Sequence, residues 1–418
     1  MNGLDLVYIL GGLLSAPLWA RKRRAGWGER FGKVAPMLGS EPAFDRPRVM
    51  LHAVSVGEVN ALRPLVPRLT PEASVIVSTT TDTGLARARA LFAESCEVVR
   101  YPLDFSWAVG RFLDLVRPDV VGLVELELWP NFLRGCRRRG VPVCVINGRL
   151  SERSFKGYRR FRGVVGGMFR SLAFAGVQDP SYRERFLAMG VAPERCAVTG
   201  SMKWDSWDVS GEGARPSPEA VALGAALGID PDRPLGVGGS TAPGEEALLR
   251  ASCPAGAQLA CAPRKPERFE EAWEALRPCA RRSEGRARPG DRFLLDTIGE
   301  LGLLYQLADV AVVGRSFGDL HGSDPIEPVA LGAPTLIGPR FGDFEHIVGT
   351  LRGAGGLEVV TREALAGRLA GLLEDERGRS ALRARGREAI RAQQGAAGRH
   401  AGLLLALARG EHPGFQSV

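Results

Sequence analysis

The chain has 418 residues, of which 45% are hydrophobic and 24% are charged, so it is too long for one ordinary domain and too apolar to be disordered. Its formal net charge of +8 is unevenly distributed. Residues 21–33 hold six basic side chains and one acidic side chain, and residues 134–162 hold ten basic side chains and one acidic side chain. The remainder of the chain is net acidic. This distribution excludes a uniformly basic nucleic-acid-binding surface and indicates an anionic partner for each basic segment.

The N-terminus predicts a membrane element. Residues 4–20 are apolar apart from Asp5, and four basic residues follow at 21–24. A secretory signal peptide carries its positive charge before the apolar run, so export is not expected. At ~1.5 Å per residue the helix barely crosses a bilayer core of ~30 Å, so a short span and a monotopic insertion both fit, with the arginines on the cytoplasmic side. The alternative is a buried first helix of a soluble domain.

From residue 48 onward, short apolar runs alternate with amphipathic stretches, which is typical of a parallel sheet covered by helices. Helices are predicted between the strands, for instance over 59–69 and 83–92, and the Gly- and Pro-rich residues 206–232 predict a linker. The predicted strands of this half are 49–54, 74–78, 97–101, 120–125, 142–146, 174–178 and 197–199.

A second alternating set follows the linker, and residues 377–407 form a helical tail. Two doubly wound Rossmann-like domains facing a cleft are the natural architecture, with ligands at the carboxyl ends of the strands. The predicted strands here are 235–238, 258–261, 293–295, 310–313 and 334–337. The predicted helices are 244–251, 266–276, 299–307 and 325–331.

The glycine-rich loop at 236–244 matches neither nucleotide fingerprint. A dinucleotide motif needs glycine where Thr241 stands, and a P-loop needs Lys-Ser/Thr where Glu245 and Glu246 stand. A nicotinamide enzyme is disfavoured and a P-loop ATPase is excluded. The small-residue loop before a helix can still accept a phosphate through backbone N–H groups, although a turn capped by Ser240 or Thr241 is favoured on this evidence alone.

Candidate reactive carboxylates follow two strands of the first half. Glu58 ends the segment HAVSVGE at a helix start, where it is a candidate general base, or else only complements the helix dipole. Glu125 and Glu127 in VELELWPN alternate by two and are predicted to share a face. Such a pair can bind a metal, but a bond to backbone or to a neighbouring arginine is favoured for Glu127.

In the second half, Arg264 lies between a strand and a helix, where it can clamp a phosphate or a carboxylate. Glu327 opens another helix and can accept hydrogen bonds from ribose hydroxyls, or is only a helix-start acid. Asp230 and Asp232 form a DxD pair by letters, but their place in the linker favours a turn.

The seven cysteines form no CxxC pair and are odd in number, which argues against a disulfide framework or a zinc site and predicts a reducing compartment.

Taken together, these segments resemble the Kdo (3-deoxy-D-manno-octulosonic acid) transferases of lipopolysaccharide synthesis, which are glycosyltransferases of the GT-B fold. The resemblance covers nearly the whole chain, in the order of the family. The matching segments are RAGWGER at 24–30, HAVSVGEVNA at 52–61, VELELWPN at 124–131, NGRLSERS at 147–154, VTGSMKWD at 198–205, GGSTAPGEE at 238–246, APRKPER at 262–268 and DTIGELGLLYQLADVAVVG at 296–314.

The resemblance implies transfer of Kdo from CMP-Kdo to a lipid A precursor, lipid IVA, by an inverting mechanism without a protein-bound metal or a cofactor besides the donor substrate. Glu58 matches the general base, and Glu125 and Lys203 match the pair that stabilises the transition state. The residues that match the CMP-binding segments are Pro263, Arg264, Ile298, Gly299, Glu300, Asp324, Pro325, Ile326 and Glu327.

The implied organisation is a membrane anchor at 1–20, an acceptor-binding domain at 21–205, the linker, a donor-binding domain at 233–376 and a helical tail at 377–410. The expected location is the cytoplasmic face of the bacterial inner membrane. The expected partners are CMP-Kdo, the lipid A precursor and the anionic membrane surface, and no nucleic acid.

The chain departs from the family on the donor side, where Ala242, Lys265 and Ser323 replace histidines and Asp324 replaces asparagine. An acid beside a nucleotide phosphate is unfavourable unless a cation such as Lys265 compensates it. A related GT-B enzyme that uses another nucleotide sugar is therefore the alternative. A catalytically silent lipid-binding or scaffold protein is disfavoured, because the candidate catalytic residues are all retained.

Overall fold

The computed structural model describes residues 1–20, 26–34, 46–210, 216–287 and 290–411. The basic flank at 21–24 lies outside the described residues, as do the first two residues of the RAGWGER segment and residues 211–215 of the predicted linker. The chain folds into two compact units, one formed by Met1–Ser206 with the segment from Gln394 onward, and the other by Trp207–Gln393.

The first unit contains a seven-stranded sheet in which every neighbouring pair of strands is parallel, in the order β3-β2-β1-β4-β5-β6-β7. All seven predicted strands are confirmed within two residues at each end. The strands are β1 Arg48–His52, β2 Ser74–Thr79, β3 Glu97–Arg100, β4 Val120–Val124, β5 Val143–Gly148, β6 Phe174–Val177 and β7 Cys196–Val198.

Helices connect these strands and cover both faces of the sheet. The predicted helix over 59–69 is in two pieces, α3 and α4, because Pro64 lacks the amide donor that a continuous helix needs. The helices are α1 Gly3–Ala20, α2 Trp27–Arg30, α3 Val56–Ala61, α4 Val66–Leu69, α5 Asp82–Phe92, α6 Ser106–Val116, α7 Pro130–Arg138, α8 Glu152–Arg160, α9 Arg162–Arg170 and α10 Pro180–Met189.

The second unit repeats the architecture with another parallel sheet, in the order β10-β11-β9-β8-β12-β13-β14. The five predicted strands are confirmed, whereas β10 and β14 have only two residues each, too few to leave a pattern in the sequence. The strands are β8 Leu235–Thr241, β9 Gln258–Pro263, β10 Ala280–Arg281, β11 Arg292–Leu294, β12 Val310–Val313, β13 Thr335–Ile337 and β14 Glu358–Val359.

The helices of the second unit include one, α11, within the predicted linker. It is capped by Ser217 and ends at Gly228, whose φ of 85° suits glycine. The helices are α11 Pro218–Leu227, α12 Glu245–Ser252, α13 Phe269–Leu276, α14 Leu301–Leu307, α15 Ile326–Ala330, α16 Glu345–Gly353, α17 Leu365–Glu374 and α18 Glu376–Gln393.

The last helix, α19 (Ala396–Ala408), returns to the first unit and packs on its sheet. The carboxylate of Asp205 accepts hydrogen bonds from the N–H groups of Gly395 at 2.6 Å and Ala397 at 2.7 Å, and so caps this helix. His400 is fully buried, and its Nε2 accepts from the N–H of Asn147 at 3.0 Å. The C-terminal segment is therefore part of the core of the first unit.

The first helix, α1, is fixed to the first unit by one face. The buried carboxylate of Asp5 accepts hydrogen bonds from the N–H of Ser106 at 2.8 Å and from its hydroxyl at 2.6 Å. The phenol of Tyr8 donates to Asp104 at 3.0 Å. Within the described ranges, no helix is both long enough and apolar enough to cross a membrane.

Candidate functional site

Each sheet has a point at which the chain reverses the order in which it adds strands, between β1 and β4 in the first unit and between β8 and β12 in the second. Ligands of doubly wound folds bind outside the carboxyl ends of the strands at such a switch point. Glu58 follows β1 and Glu125 follows β4. The first unit therefore places two of the three predicted catalytic residues on adjacent strands at its switch point.

The carboxylate of Glu58 is held in a fixed orientation. Its Oε2 accepts a hydrogen bond from the N–H of Val54 at 2.8 Å, and its Oε1 accepts from the hydroxyl of Ser55 at 2.9 Å. Ser55 is the N-cap of α3, so this is a variant of the capping box. Burial nevertheless raises the pKa of Glu58 above its ordinary value, and the nearby charge of Glu125 raises it further. Glu58 caps its helix and is also a stronger base than an ordinary glutamate.

Glu125 has a strained backbone, with a φ of 59° in the left-handed region. This conformation costs a residue with a side chain ~1–2 kcal/mol. Its N–H donates to the carbonyl of Ile146 at 3.0 Å on the neighbouring strand, which holds the residue at the end of β4. Strain of this kind is concentrated at functional sites, because the surrounding structure must impose it.

Glu127 joins the same electrostatic cluster. Burial raises its pKa to about 7, with further increases from the charges of Glu58 and Glu125. Its Oε2 accepts a hydrogen bond from the indole N–H of Trp129 at 3.1 Å. This contact differs from the bond to backbone or arginine that the sequence favoured for Glu127. Because β4 ends at Val124, the two acids also follow the strand instead of alternating along it.

Lys203 lies at the same edge of the sheet, after β7. Strands are about 4.8 Å apart, so β7 lies roughly 14 Å from β4 across the sheet. The neighbours of Lys203 are structural: Met202 and Trp204 are buried, and the N–H of Met202 donates to Oδ1 of Asn147 at 3.0 Å. Within the VTGSMKWD segment, Lys203 is therefore a half-buried cation between two buried side chains.

In the second unit, Arg264 follows β9 and is exposed, and its guanidinium has no hydrogen bond or ion pair to another described residue. Its charge acts on the buried phenol of Tyr305, as do the charges of Glu327 and Asp324. The three charged side chains therefore lie within electrostatic range of this phenol. Burial, more than the two acids, raises the pKa of Tyr305 well above its ordinary value, so the phenol stays protonated.

Tyr305 was not singled out by the sequence. A Cβ built on Gly239 would lie 1.8 Å from its hydroxyl, so the glycine at the end of β8 is required for the phenol to reach the switch point. The tyrosine lies in the apolar stretch of α14, where it has the pattern of an ordinary core residue. Only the close approach to Gly239 distinguishes it.

The glycine-rich loop after β8 is held by a carboxylate of the protein itself. The buried carboxylate of Glu245 accepts hydrogen bonds from the N–H groups of Ala242, Arg315, Ser316 and Phe317, at 2.7 to 3.1 Å. The predicted cap by Ser240 or Thr241 is wrong, because the N-cap of α12 is Gly244 without a side-chain bond. These N–H groups hold the loop together and are occupied.

Glu246 is likewise structural. It accepts from the hydroxyl of Thr241 at 2.6 Å and makes two 2.9 Å bonds with the guanidinium of Arg268. The segment APRKPER thus divides into two roles, because its last arginine is bound internally while Arg264 remains exposed.

The segment 298–300 presents an exposed Ile298 and a Gly299 with a φ of 96°. Burial tends to raise the pKa of Glu300, but hydrogen bonds from Arg282 and Thr297 outweigh it and hold that pKa below its ordinary value. The carboxylate therefore stays ionised and paired with Arg282.

The segment 323–327 combines buried and accessible groups. Ile326 is fully buried, Pro325 is buried, and the N–H of Ile326 donates to Oδ1 of Asp324 at 2.9 Å. The hydroxyl of Ser323 is buried and has no hydrogen-bond partner among the described residues. Asp324 and the half-buried Glu327 are the side chains of this segment that can meet a ligand.

Two solved structures share this architecture. UDP-GlcNAc 2-epimerase from Neisseria meningitidis, bound to UDP-GlcNAc, is 12% identical with a TM-score of 0.57, over 87% of this chain and 97% of that one. Anabaena HepE in complex with UDP-glucose is 11% identical with a TM-score of 0.56, over 87% of this chain and 98% of that one. This likeness concerns the fold alone, which is the GT-B fold predicted from the sequence.

Relatives in sequence define the class. The 3-deoxy-D-manno-octulosonic acid transferase of Haemophilus influenzae is 30% identical over 417 residues, 96% of this chain and 95% of its own. That of Bordetella pertussis is 34% identical over 362 residues, 78% and 80% of the two chains. The model of the family 3-Deoxy-D-manno-octulosonic-acid transferase (kdotransferase) matches residues 25–206. The chain is a glycosyltransferase. It belongs to the Kdo transferase family, which confirms the resemblance seen in the sequence.

The acid cluster makes stability depend on pH. Glu127 keeps its proton up to about pH 7 in the folded chain, whereas in the unfolded chain it loses the proton at its ordinary, lower pKa. Between these two pKa values, folding is coupled to the uptake of a proton. The contribution of Glu127 to the free energy of unfolding therefore falls as pH rises towards 7 and stays low above pH 7. We expect Glu127→Gln to raise the melting temperature relative to wild type at pH 8 and to raise it less at pH 5. Exposed Glu94→Gln is the control, and the same difference in both variants would contradict the assignment.

Proposed function

We propose that the protein transfers Kdo from CMP-Kdo to the lipid A precursor lipid IVA, with inversion at the anomeric carbon and Glu58 as the general base. The observation that carries the proposal is the half-buried Glu58 carboxylate at the switch point, oriented by Val54 and Ser55 and made more basic by burial. A carboxylate tuned in this way is suited to remove a hydroxyl proton near neutral pH.

The reaction has one bond-forming and one bond-breaking event at the same carbon. Glu58 takes the proton of the acceptor hydroxyl while that oxygen bonds to the anomeric carbon of Kdo. The bond between this carbon and the phosphate oxygen of CMP breaks, and CMP leaves with the electron pair. Glu125 places a negative charge where the anomeric carbon becomes positive, and Lys203 supplies a cation for the Kdo carboxylate or the leaving phosphate.

On the donor side, the proposal assigns the CMP phosphate to Arg264. An exposed guanidinium without a partner among the described residues is suited to a bidentate bond with a phosphate. The phenol of Tyr305 is a donor beside it, and Glu327 is an acceptor for the ribose hydroxyls. Arg264 and Asp324 act on this phenol with opposite sign, so a phosphate here has a cation as well as the acid within electrostatic range.

On the acceptor side, a groove of about 400 Å³ lies beside α1, α7 and α9 of the first unit. Apolar side chains line most of it, and two guanidiniums stand among them, which is the chemistry of an acyl chain carried by a phosphorylated sugar. The groove supports a lipid acceptor. Its main lining residues are Leu4, Leu133, Arg134, Arg137, Val164 and Met168.

We further propose that α1 lies in the membrane interface at the cytoplasmic face of the inner membrane. Asp5 and Tyr8 hold one face of the helix against the protein, while Leu6, Val7 and Leu10 on the other face are each more than half exposed. A one-sided apolar surface of this kind supports a monotopic contact with lipid.

The transfer reaction tests the main proposal. With CMP-Kdo and lipid IVA we expect release of CMP and a lipid mass increase of one or more Kdo units. Glu58→Gln should lower kcat by about 10²- to 10⁴-fold, because it removes the base while keeping the shape of the side chain. Glu94→Gln is the matched control. Wild-type turnover in Glu58→Gln would refute the base assignment, and absence of both products in the wild type would refute the reaction.

The altered donor segment favours a second candidate, a GT-B transferase with another nucleotide sugar, because Ser323 and Asp324 replace the family residues. Thermal stabilisation by CMP, UDP and GDP separates the two. We expect CMP to stabilise the chain most and Arg264→Ala to weaken CMP binding about tenfold or more, because a charge-assisted bond is lost. Arg286→Ala, an exposed arginine of the same unit, is the control. A clear preference for UDP would favour the second candidate.

The membrane contact has its own test. We expect the double variant Val7→Asp/Leu10→Asp to bind vesicles of phosphatidylcholine and phosphatidylglycerol about tenfold or more weakly in flotation assays, because two charges replace inserted apolar groups. Val221→Asp is the control, since this valine of α11 is also more than half exposed. Equal flotation of the double variant and the wild type would exclude α1 as the contact.

A further inference from the structure

One face of α18 carries a row of arginines. Arg383, Arg387 and Arg391 follow one another at intervals of four residues, which places them on the same side of the helix. Like charges at this spacing destabilise a helix by about 0.2–0.5 kcal/mol per pair. The row is therefore unfavourable for the helix alone and needs another explanation.

The row borders an open cavity of about 790 Å³. Arg385 adds a fourth guanidinium to its lining, and Glu388 is the one acidic residue there, paired with Arg391. The other described lining residues are small and mostly apolar, so the guanidiniums stand on an otherwise apolar surface. These small residues are Ala354, Ser380, Ala384, Ala389 and Ala392.

A second cavity of about 430 Å³ shares Arg385 with the first. It adds Arg352 and Arg368 to the basic surface, the latter bound to Glu358 through two hydrogen bonds. Arg385 thus lines both cavities. Its guanidinium makes no hydrogen bond or ion pair with another residue in the described ranges.

Part of the row has a structural role. The Nε of Arg383 donates to the carbonyl of Gly332 at 2.7 Å, and Nη1 of Arg387 donates to that of Ala330 at 2.6 Å. These carbonyls lie at the C-terminal end of α15, where cations are favourable. A guanidinium has five N–H donors, so one carbonyl does not saturate Arg383. Capping of α15 also leaves the position of Arg385 unexplained.

One member of the row, Arg387, lies in surroundings that disfavour its charge. Arg387 is only 7% exposed. Burial lowers its pKa below the ordinary value, and the charges of Arg391 and Arg383 lower it further, against the opposite effect of Asp208. An anion in the cavity that they border offsets the mutual repulsion of these guanidiniums.

We propose that the cavity beside Arg383, Arg385, Arg387 and Arg391 is a binding site for the phosphate group of a second, phosphorylated ligand. A phosphate offers several acceptor oxygens and up to two charges, which match several forked donors along the lining of one cavity. The site lies at the C-terminal end of α15, whereas the segment 324–327 assigned to the donor lies at the start of that helix. None of the residues that line the cavity is among those assigned to the donor nucleotide.

Inorganic pyrophosphate is the probe, titrated into the full chain by calorimetry. We expect Arg385→Ala/Arg391→Ala to weaken its binding at least about tenfold, because two charge-assisted contacts are lost. Arg377→Ala should change it less than about twofold, since this exposed arginine of the same helix lines neither cavity. Any binding of the probe at Arg264 is common to both variants, so their difference reports this cavity.

Vesicles distinguish the source of the phosphate. If phosphatidic acid in phosphatidylcholine vesicles also binds less to the double variant than to Arg377→Ala, the ligand is a lipid head group, and if it does not, the ligand is a soluble phosphate. Circular dichroism checks that α18 is intact. Should the double variant unfold, Arg385→Gln alone serves, because this guanidinium has no partner within the described residues to lose. Equal pyrophosphate affinity in the arginine variants and in Arg377→Ala would overturn the proposal.

Discussion

Parallel strands can be joined only by crossover segments, and they bring all their carboxyl ends to one edge of the sheet. In the first unit this constraint places Glu58 and Glu125 beside each other, although more than sixty residues separate them in the chain. In the second unit it gathers Arg264 and the segments around Tyr305 and Asp324. The candidate residues depend on this alignment, because each of them follows a strand or starts the helix after it.

Three glutamates show how hydrogen bonding decides between a structural and a reactive acid. Glu245 accepts from four backbone N–H groups and ties two loops together. Glu58 has two donors and Glu127 has one, and in both the effect of burial prevails, so their pKa values rise. At Glu58 and Glu127 the few donors do not offset the cost of desolvation.

The arginines divide in a similar way. Within the basic segment 134–162, Arg139 is bound to Asp114 and Lys156 to Glu152, so part of its charge serves the fold. The arginines of α18 belong to a stretch that the sequence predicted only as a helical tail. Their row borders a cavity whose described lining includes one acidic residue, Glu388. A local excess of charge in the sequence and a local excess on the surface are therefore different properties, because pairing is decided by packing.

The sequence predicted the alternation of strands and helices, the two doubly wound sheets and the family, because apolar periodicity and short motifs are local properties. It also identified Glu58, Glu125 and Arg264 as residues after strands. It missed the bond from the indole of Trp129 to Glu127. It also missed two contacts between distant segments, namely Glu245 accepting from residues 315–317 and Tyr305 reaching across Gly239. The burial and the hydrogen-bond partners of these groups depend on how the whole unit packs, and they determine what each side chain can do chemically.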